Sequence, residues 1–282
     1  MHIQNTTQKQ QLMSCLIEFY QTELRLRNYC QKTINCYLSQ LKHFLGYFNQ
    51  DPGSITESQI KEYLKASPSQ SVLKQRIGSL KHFYTFVLKQ PIKFKYIQYP
   101  RKEMHLPEVL SQDEIRRLFA VCSNLKHKAI LFLFYSTAMR IGEVLNLKIE
   151  DIDSQRMVIN VRQGKGKRDR IVPLSSNTLN LLRNYFKECR PKVYLFNGQF
   201  SDQYSSTSIQ QFLHMYARRA GIKKRVYPHL LRHCSATHLY ESGTEIAIIQ
   251  KILGHKQEKT TMIYTHLSNR AISRIVTPDA HL

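Results

Sequence analysis

Long apolar runs are missing from this sequence. The longest one covers only residues 129–135, whereas a membrane-spanning helix needs roughly 20 apolar residues. The N-terminal stretch MHIQNTTQKQQ is polar and lacks the apolar region of a secretory signal. These absences argue against a membrane partner, and we expect a cytoplasmic protein.

Cysteine is scarce, and several cofactor motifs are absent. The six cysteines form no CxxC pair, which favours reduced structural thiols over a disulfide framework. The nucleotide-binding pattern GxxxxGK[ST] and the zinc-binding pattern HExxH do not occur. There is also no carboxylate cluster for two metal ions. The sequence therefore predicts no cofactor and no metal.

Acidic residues are few. The chain has 20 of them against 42 lysines and arginines, a formal net charge of +22. The excess is spread along the chain, with +6 before residue 91 and +16 from there on. A folded protein with this balance most often binds a polyanion, usually nucleic acid. A basic protein without a nucleic-acid partner remains the simpler alternative.

The first ninety residues are patterned as amphipathic helices. Apolar residues recur at helical spacing in two clear stripes, a weaker one and a short one, separated by NQDPGS and KASPSQS. The strongest stripe consists of Ile34, Tyr37, Leu38, Leu41, Phe44, Leu45 and Phe48. The second consists of Leu73, Ile77, Leu80, Tyr84, Val87 and Leu88, the weaker of Leu12, Leu16, Phe19 and Tyr20, and the short one of Ile60, Tyr63 and Leu64. Four helices in a small bundle are expected for residues 1–90.

The helical period is lost over residues 91–106, where prolines, basic residues and aromatics alternate. We interpret this stretch as an extended linker between two domains. Its basic side chains are candidate contacts to DNA phosphates, namely Lys93, Lys95, Arg101 and Lys102. In the alternative, its aromatic residues pack on one of the domains.

Residues 107–282 predict a second domain, mostly helical with a small sheet. Ser111 followed by Glu114 is a capping-box pattern. KAILFLFYSTAMR is expected to form a buried helix and IGEVLNL a short amphipathic one. Two β-rich runs flank Gly164-Lys165-Gly166, which predicts a hairpin with a basic tip. Further helices are expected at about 176–188, 205–219, 228–241, 245–253 and 258–266.

Four local patterns in this second domain contain residues suited to chemistry. They are STAMRIGEVLNL with Arg140 and Glu143, GKGKRDR with Lys165, YPHLLRHC with His229 and Arg232, and GHKQEKTTMIYTHL with His255 and Tyr264. Each has a simpler interpretation when taken alone. Arg140 and Glu143 form an ion pair, the glycine–lysine turn is exposed, and a lone tyrosine on a helix packs.

A zinc site is a rival grouping for His229, His233, Cys234 and His238, because it contains an i, i+4 pair. No second cluster of ligands accompanies it, and His233 and Cys234 point about a hundred degrees apart on a helix. Zinc is therefore disfavoured.

The order of the patterns is more specific than any one of them. An arginine is followed by a hairpin lysine, His-x-x-Arg, Gly-His and a tyrosine nine residues later. This set resembles the tyrosine recombinases, that is, phage integrases and Xer-type recombinases. The resemblance covers the whole second domain, and the helical first domain is similar to the family's core-binding domain.

The resemblance implies a role for each residue. Tyr264 would be the nucleophile and Lys165 the proton donor to the leaving 5′-oxygen. Arg140 and Arg232 would clamp the phosphate. The remaining implied roles are His229 as the base, His255 as a hydrogen-bond donor to the phosphate, and Glu143 as a support. On the hairpin, Lys167, Arg168 and Arg170 are further candidates for DNA contact.

The resemblance also implies the fold and the reaction. The fold would be mainly α with a small β-hairpin or sheet, built from a SAM-like helical bundle and a mixed α+β catalytic domain that form a C-shaped DNA clamp. Strands of double-stranded DNA would be cut and rejoined through a 3′-phosphotyrosine link, without metal or ATP. Four protomers would act together on DNA, with accessory DNA-binding proteins and cis or trans cleavage left open. The wording of the motifs is similar to that of mobile-element recombinases.

Two departures from the family pattern and three alternative functions remain. Ala138 stands where glycine is usual, and Cys234 stands where threonine is common. One alternative is a type IB topoisomerase-like enzyme, and another is a DNA-binding protein that has lost catalysis. An RNA- or ribosome-associated protein would explain the charge but not the ordered residues.

Overall fold

The computed structural model describes residues 2–100, 108–162, 169–255 and 261–267, with side chains from residue 11 to residue 265 within those ranges. The chain divides into two compact units, Met1–Met104 and His105–Leu282. Each unit has its own hydrophobic core.

The described part of the first unit contains four α-helices, α1 to α4. They span His2–Leu26, Gln31–Phe48, Glu57–Lys65 and Gln70–Phe86. Polar side chains fix where two of them begin. The hydroxyl of Thr56 accepts the N–H of Gln59 in a capping box, and Ser69 accepts the N–H of Val72. The four predicted helices are therefore present.

The buried faces of α2, α3 and α4 follow the predicted stripes, with Leu41, Phe44, Ile60, Leu80 and Tyr84 fully or almost fully buried. The prediction for α1 was wrong in part, because Leu12 and Phe19 are more than half exposed. This helix packs through Met13, Ile17, Tyr20 and Leu24 instead. That set has the spacing 4, 3, 4, which follows a helix face more closely.

The segment after α4 is not extended at its start. Pro91–Phe94 forms a 3₁₀ turn, and Phe94 and Ile97 are buried in the core of the first unit. The expected linker thus begins as part of the first unit. The alternative interpretation, in which its aromatic residues pack on one domain, holds for Phe94 but not for Tyr96, which is 66% exposed.

The second unit contains eight described helices, α5 to α12. They span Gln112–Ala120, Leu125–Thr137, Ile141–Leu145, Ser176–Cys189, Ser206–Arg219, Pro228–Glu241, Ile246–Leu253 and Ile263–Leu267. The capping box of Ser111 and Glu114 is present at the start of α5. Asn124, Ser175 and Ser205 cap α6, α8 and α9.

A small antiparallel sheet accompanies these helices. Its strands are β1 (Ile152–Asp153), β2 (Val158–Val161) and β3 (Arg170–Pro173), in the order β1-β2-β3. Ile159 lies opposite Val172, and both side chains are buried. The tip of the predicted hairpin lies outside the described residues. β3 is an edge strand, which is compatible with Pro173.

Helix α6 lies at the centre of the second core. Its residues Ala129, Ile130, Leu131, Leu133 and Phe134 have no exposed surface, and it packs against α8 and α10. Burial on several faces explains why KAILFLFY lacks a polar side.

Within the described part of the chain, no helix combines the length and hydropathy that crossing a membrane requires.

Candidate active site

Arg140 lies at the junction of α6 and α7. Helix α6 ends at Thr137, and Ala138 follows in the left-handed conformation with φ +51°. Arg140 then caps α7, and its backbone N–H donates to Glu143 Oε2 at 2.7 Å. Its Nη1 donates to Glu143 Oε1 at 2.9 Å, with 23% of the side chain exposed. The predicted pairing with Glu143 is present, and part of the guanidinium remains open.

Glu143 also binds Arg170, which comes from β3. The two groups form a bidentate pair, with both N–O distances 2.7 Å. Their side chains are 7% and 11% exposed. Burial alone would raise the pKa of Glu143, but hydrogen bonds from Arg170 and Arg140 lower it to about 2. The carboxylate is therefore charged at any working pH and joins β3 to α7.

Three arginines donate to backbone carbonyls at the C-terminal end of α11. The carbonyl of Ile252 accepts from Arg170 Nε at 2.7 Å, and that of Leu253 accepts from Arg232 Nη2 at 2.6 Å. The carbonyl of Gly254 accepts from Arg140 Nη2 at 3.4 Å. The last carbonyls of a helix lack intrahelical partners and carry the negative end of its dipole. This helix end therefore offsets the repulsion among three cations.

Arg232 is the most deeply buried charge in the site, with 1% of its surface exposed. Besides Leu253, it donates to the carbonyl of Ala138, and its Nη2 lies 3.3 Å from His255 Nε2. Burial and the nearby charge of Arg140 lower its pKa to about 10, so it stays protonated at neutral pH. Its Nε has no partner among the described residues. Ala138 thus contributes a backbone carbonyl, which any residue at this position would provide.

His255 follows the left-handed residue Gly254 that ends α11. Its Nδ1 lies 3.0 Å from Thr261 Oγ1, and Thr261 is fully buried. Burial and the nearby charges of Arg232 and Arg140 lower the pKa of His255 to about 4. The ring is therefore neutral at pH 7, and the hydroxyl of Thr261 helps to fix its orientation.

Tyr264 lies on α12 with 1% of its surface exposed. Its hydroxyl is 3.0 Å from Nδ1 of His233 on α10. Burial raises the pKa of Tyr264 to about 12, although the charges of Arg232 and Arg140 oppose the rise. The expected nucleophile thus lies within electrostatic reach of both expected phosphate-binding arginines.

His229 lies in the first turn of α10 and, taken over all its atoms, is an exposed residue. Its ring meets that of His233 edge-on, with centroids 4.6 Å apart. Burial of the ring, Arg232 and Arg140 lower its pKa. The hydroxyl of Tyr264 bonds to His233, a residue for which the sequence pattern implied no catalytic role. The signal was present, because position 233 is one helical turn after His229.

The grouping considered for zinc is divided among different partners. His233 bonds to Tyr264, Cys234 Sγ accepts the N–H of Leu110 at 3.2 Å, and His238 Nδ1 lies 2.8 Å from the hydroxyl of Tyr135. Over the described ranges, no group of three or more His, Cys, Asp or Glu side chains is arranged to hold a metal ion.

The candidates for DNA contact differ in their surroundings. Lys93 donates to the carbonyls of Gly53 and Ile55 at 2.6 and 2.7 Å, and Arg170 is engaged by Glu143 and the end of α11. In both, protein acceptors engage the charged group, and the contact to DNA phosphate stays a prediction. Lys95 is exposed beside the ring of Tyr96. The other candidates lie outside the described residues, namely Lys165, Arg101, Lys102, Lys167 and Arg168.

Comparison with known families gives two matches. Residues 108–270 match the phage integrase family, and residues 16–94 match the N-terminal SAM-like domain of phage integrases. The first match covers more than half of the chain and contains every side chain of the site. The second covers the helical bundle.

Individual relatives agree. A putative integrase/recombinase of Sinorhizobium fredii is 32% identical over 274 residues, 95% of this chain and 89% of that protein. The tyrosine recombinase XerA of Pyrococcus horikoshii is 32% identical over 273 residues, with 93% of each chain covered. A solved structure of the XerH site-specific recombinase, bound to palindromic difH substrate, shares the fold, with a TM-score of 0.73 at 23% identity over 88% of this chain and 80% of that chain. The chain described here belongs to the phage integrase family and is a tyrosine-type site-specific recombinase.

Proposed function

We propose that this recombinase binds double-stranded DNA and cuts it with Tyr264, which becomes linked to the 3′-phosphate. The observation that carries the proposal is the position of the Tyr264 hydroxyl. It is buried, held by His233 and under the influence of Arg232 and Arg140. A tyrosine that served only in packing would not require a hydrogen-bond partner and the electrostatic influence of two arginines.

The arginines address the main obstacle to the reaction. A phosphodiester is already anionic, and more negative charge develops on its nonbridging oxygens as the nucleophile attacks. Arginine stays charged and presents planar donors suited to phosphate oxygens. A preorganised donor of this kind contributes roughly 3–4 kcal/mol. Arg140 is partly exposed, whereas Arg232 supplies positive charge from the interior.

Atoms and protons balance in the cleavage step. The bond from Tyr264 Oη to phosphorus forms while the bond from phosphorus to O5′ breaks. The phenolic proton leaves Oη for a neutral histidine of the site, and O5′ gains a proton from Lys165, the role implied by the resemblance. Because the energy of the phosphodiester is retained in the phosphotyrosine, a 5′-hydroxyl from another strand reverses the attack and completes strand exchange.

The partners follow from the same reaction. The net charge of +22 suits a DNA-binding protein, and the solved XerH relative is a complex with its DNA substrate. Exchange between two duplexes breaks four strands, and each protomer provides one tyrosine. A tetramer assembled on DNA is therefore the proposed active form.

A covalent-trapping experiment tests the proposal. Labelled, nicked duplexes from the DNA flanking the gene are incubated with wild type and with Tyr264→Phe and then run on a denaturing gel. We expect a shift of protein size with wild type only. Fragments that bind on native gels yet give no shift with wild type would contradict catalysis and favour a binding protein of the same fold.

A further inference from the structure

His233 contacts Tyr264 directly, although the resemblance implied no role for His233 and gave the role of base to His229. We propose that His233 holds the hydroxyl of Tyr264 through Nδ1 and accepts its proton as Oη bonds to phosphorus. This inference rests on the proposed function, because it takes Tyr264 to be the nucleophile.

The geometry establishes the contact between the imidazole of His233 and the hydroxyl of Tyr264. Nδ1 and Oη are 3.0 Å apart, with ring centroids 5.7 Å apart and ring planes inclined by 47°. Burial, His229 and Arg232 lower the pKa of His233 to about 4, so the ring is neutral at pH 7. A neutral imidazole carries one ring hydrogen, and with that hydrogen on Nε2, the tautomer that the proposal takes, Nδ1 accepts and the phenol donates. The donated hydrogen fixes the O–H bond and leaves the oxygen lone pairs free to attack.

The ring of His233 also contacts a side chain of its own helix. His229 is three residues before Arg232 and four before His233, so it neighbours both on the surface of α10. The His229 ring lies against the edge of the His233 ring at 4.6 Å. His233 therefore lies between the exposed His229 and the buried Tyr264. For a base in this site, hydrogen-bond distance to the nucleophile is the first requirement.

The timing of proton transfer follows from the acidities. In the free protein the pKa of Tyr264 is about 12 and that of His233 about 4. Because the phenol is far less acidic than the protonated imidazole, the free enzyme keeps a neutral phenol. Once Oη begins to bond to phosphorus, the oxygen becomes far more acidic and the proton moves to Nδ1. The Oη–H bond breaks, the Nδ1–H bond forms, and His233 returns the proton when the phosphotyrosine is reversed.

The experiment measures the rate of covalent complex formation on a nicked duplex with His233→Phe and His233→Asn. Phenylalanine removes both acceptor and base, whereas Asn keeps an acceptor near Nδ1 but takes no proton. General-base catalysis contributes roughly 10²–10⁴-fold, so we expect losses of about 100-fold or more with His233→Phe and a smaller loss with His233→Asn. DNA binding, measured on native gels, should be unchanged in both.

A second measurement separates proton acceptance from structural support. A fluorotyrosine with a more acidic hydroxyl is introduced at position 264 by amber suppression. We expect it to recover at least about tenfold of the rate in the His233 variants, because a more acidic phenol needs less help in losing its proton. It should recover little in Arg140→Gln, where phosphate stabilisation is missing.

Helix α10 offers a matched control. His238 pairs through Nδ1 with the hydroxyl of Tyr135 at 2.8 Å, on the same helix but with a tyrosine that has no role in the reaction. His238→Phe should lower stability without slowing cleavage by the folded protein. The inference is overturned if the His233 variants cleave at the wild-type rate, if fluorotyrosine gives no recovery, or if His238→Phe costs as much. A covalent complex with Tyr264→Phe would instead overturn the proposed function and the inference with it.

Discussion

At the level of single residues, Gly254 satisfies two conditions at once. Its φ of +62° lies in the left-handed region, where a side chain costs about 1–2 kcal/mol. A Cβ at this position would also lie 3.0 Å from Arg170 Cδ. The residue therefore ends α11 and lets the arginine of β3 approach the end of that helix.

Gly254→Ala should destabilise the protein by about 2–4 kcal/mol, the sum of backbone strain and crowding. Gly221→Ala is the matched control, because Gly221 has φ +66° and no heavy atom of the described residues lies within 4 Å of the place a Cβ would take. It should lose only about 1–2 kcal/mol. Urea unfolding measures both, and equal losses would show that contact with Arg170 does not matter.

Glu143 and Arg170 form a buried ion pair, and such pairs respond asymmetrically to substitution. Removing one partner leaves an uncompensated charge and costs about 3–5 kcal/mol. We therefore expect Glu143→Gln to lower the free energy of unfolding by that amount and to slow cleavage by displacing Arg140.

The double variant Glu143→Leu with Arg170→Met tests the cause. Replacing both charges with apolar groups is often neutral for stability, so unfolding should return toward the wild-type value while cleavage stays impaired. A double variant as unstable as Glu143→Gln would show that the loss arises from packing and not from an unpaired charge.

Whether a contact in the site can be predicted from the sequence depends on how far apart its two residues lie along the chain. Arg140 and Glu143 are three residues apart at a helix start, so their pairing is visible in the sequence. Arg170 is 27 residues from Glu143, and only the folding of the hairpin onto α7 brings them together. Its charge therefore suggested a DNA contact. His233 was visible as a neighbour of His229, but not as the partner of Tyr264, 31 residues away.

At the level of elements, α10 is fastened to the start of the second unit. Cys234 Sγ accepts the backbone N–H of Leu110, and Lys224 Nζ donates to the carbonyl of Val109 at 2.9 Å. Leu110 and Cys234 are both fully buried. The helix that carries His229, Arg232 and His233 is thus attached directly to residues 109–110. Cys234 meets this need as an acceptor.

Cys234→Ala should cost about 1–3 kcal/mol beyond the loss of packing, because the Leu110 N–H would be buried without an acceptor. Cys234→Ser should recover part of that loss. Cys122→Ala is the control, since Cys122 is 3% exposed and its thiol donates to the carbonyl of Asn124, at 3.8 Å, and accepts no backbone N–H in the described residues. Thermal unfolding compares the three, and equal effects at positions 122 and 234 would contradict the assigned role.

The spacing of apolar residues predicts correctly the helices that bury one face. The stripes of α2 and α4 and the capping box of α5 could be recognised because local spacing determines them. The face of α1 and the turn at Pro91–Phe94 could not, because the rest of the bundle selects which apolar residues become buried. Phe94 is an example, because an aromatic ring can be buried in whichever core lies next to it in the fold.

At the level of the whole molecule, buried imidazoles make stability depend on pH. Burial lowers the pKa of five half-buried or buried histidines, namely His82, His127, His233, His238 and His255. In each case the folded value lies below the unfolded value near 6.5. The unfolded chain therefore binds more protons as pH falls below about 6.5, and stability falls with it.

We expect the melting temperature to decrease from pH 7.5 to pH 5.0. Each histidine contributes at most about 1.4 kcal/mol per pH unit. Glu143 does not interfere, because its stabilising effect is lost only below about pH 4.5, as pH falls toward 2. His127→Gln should reduce the slope, whereas His214→Gln, at an exposed position on α9, should leave it unchanged. A flat profile in the wild type would contradict this prediction.

The shared end of α11 has a consequence for how substitutions combine. Arg140, Arg170 and Arg232 donate to three successive carbonyls, so moving one guanidinium alters the acceptors of the other two. Double-mutant cycles for unfolding among these arginines should give coupling free energies of about 0.5–3 kcal/mol. Cycles that pair any of them with Arg116, on the surface of α5, should be additive. The three positions are thus epistatic, and a sequence that changes one of them must adjust the others to keep a working site.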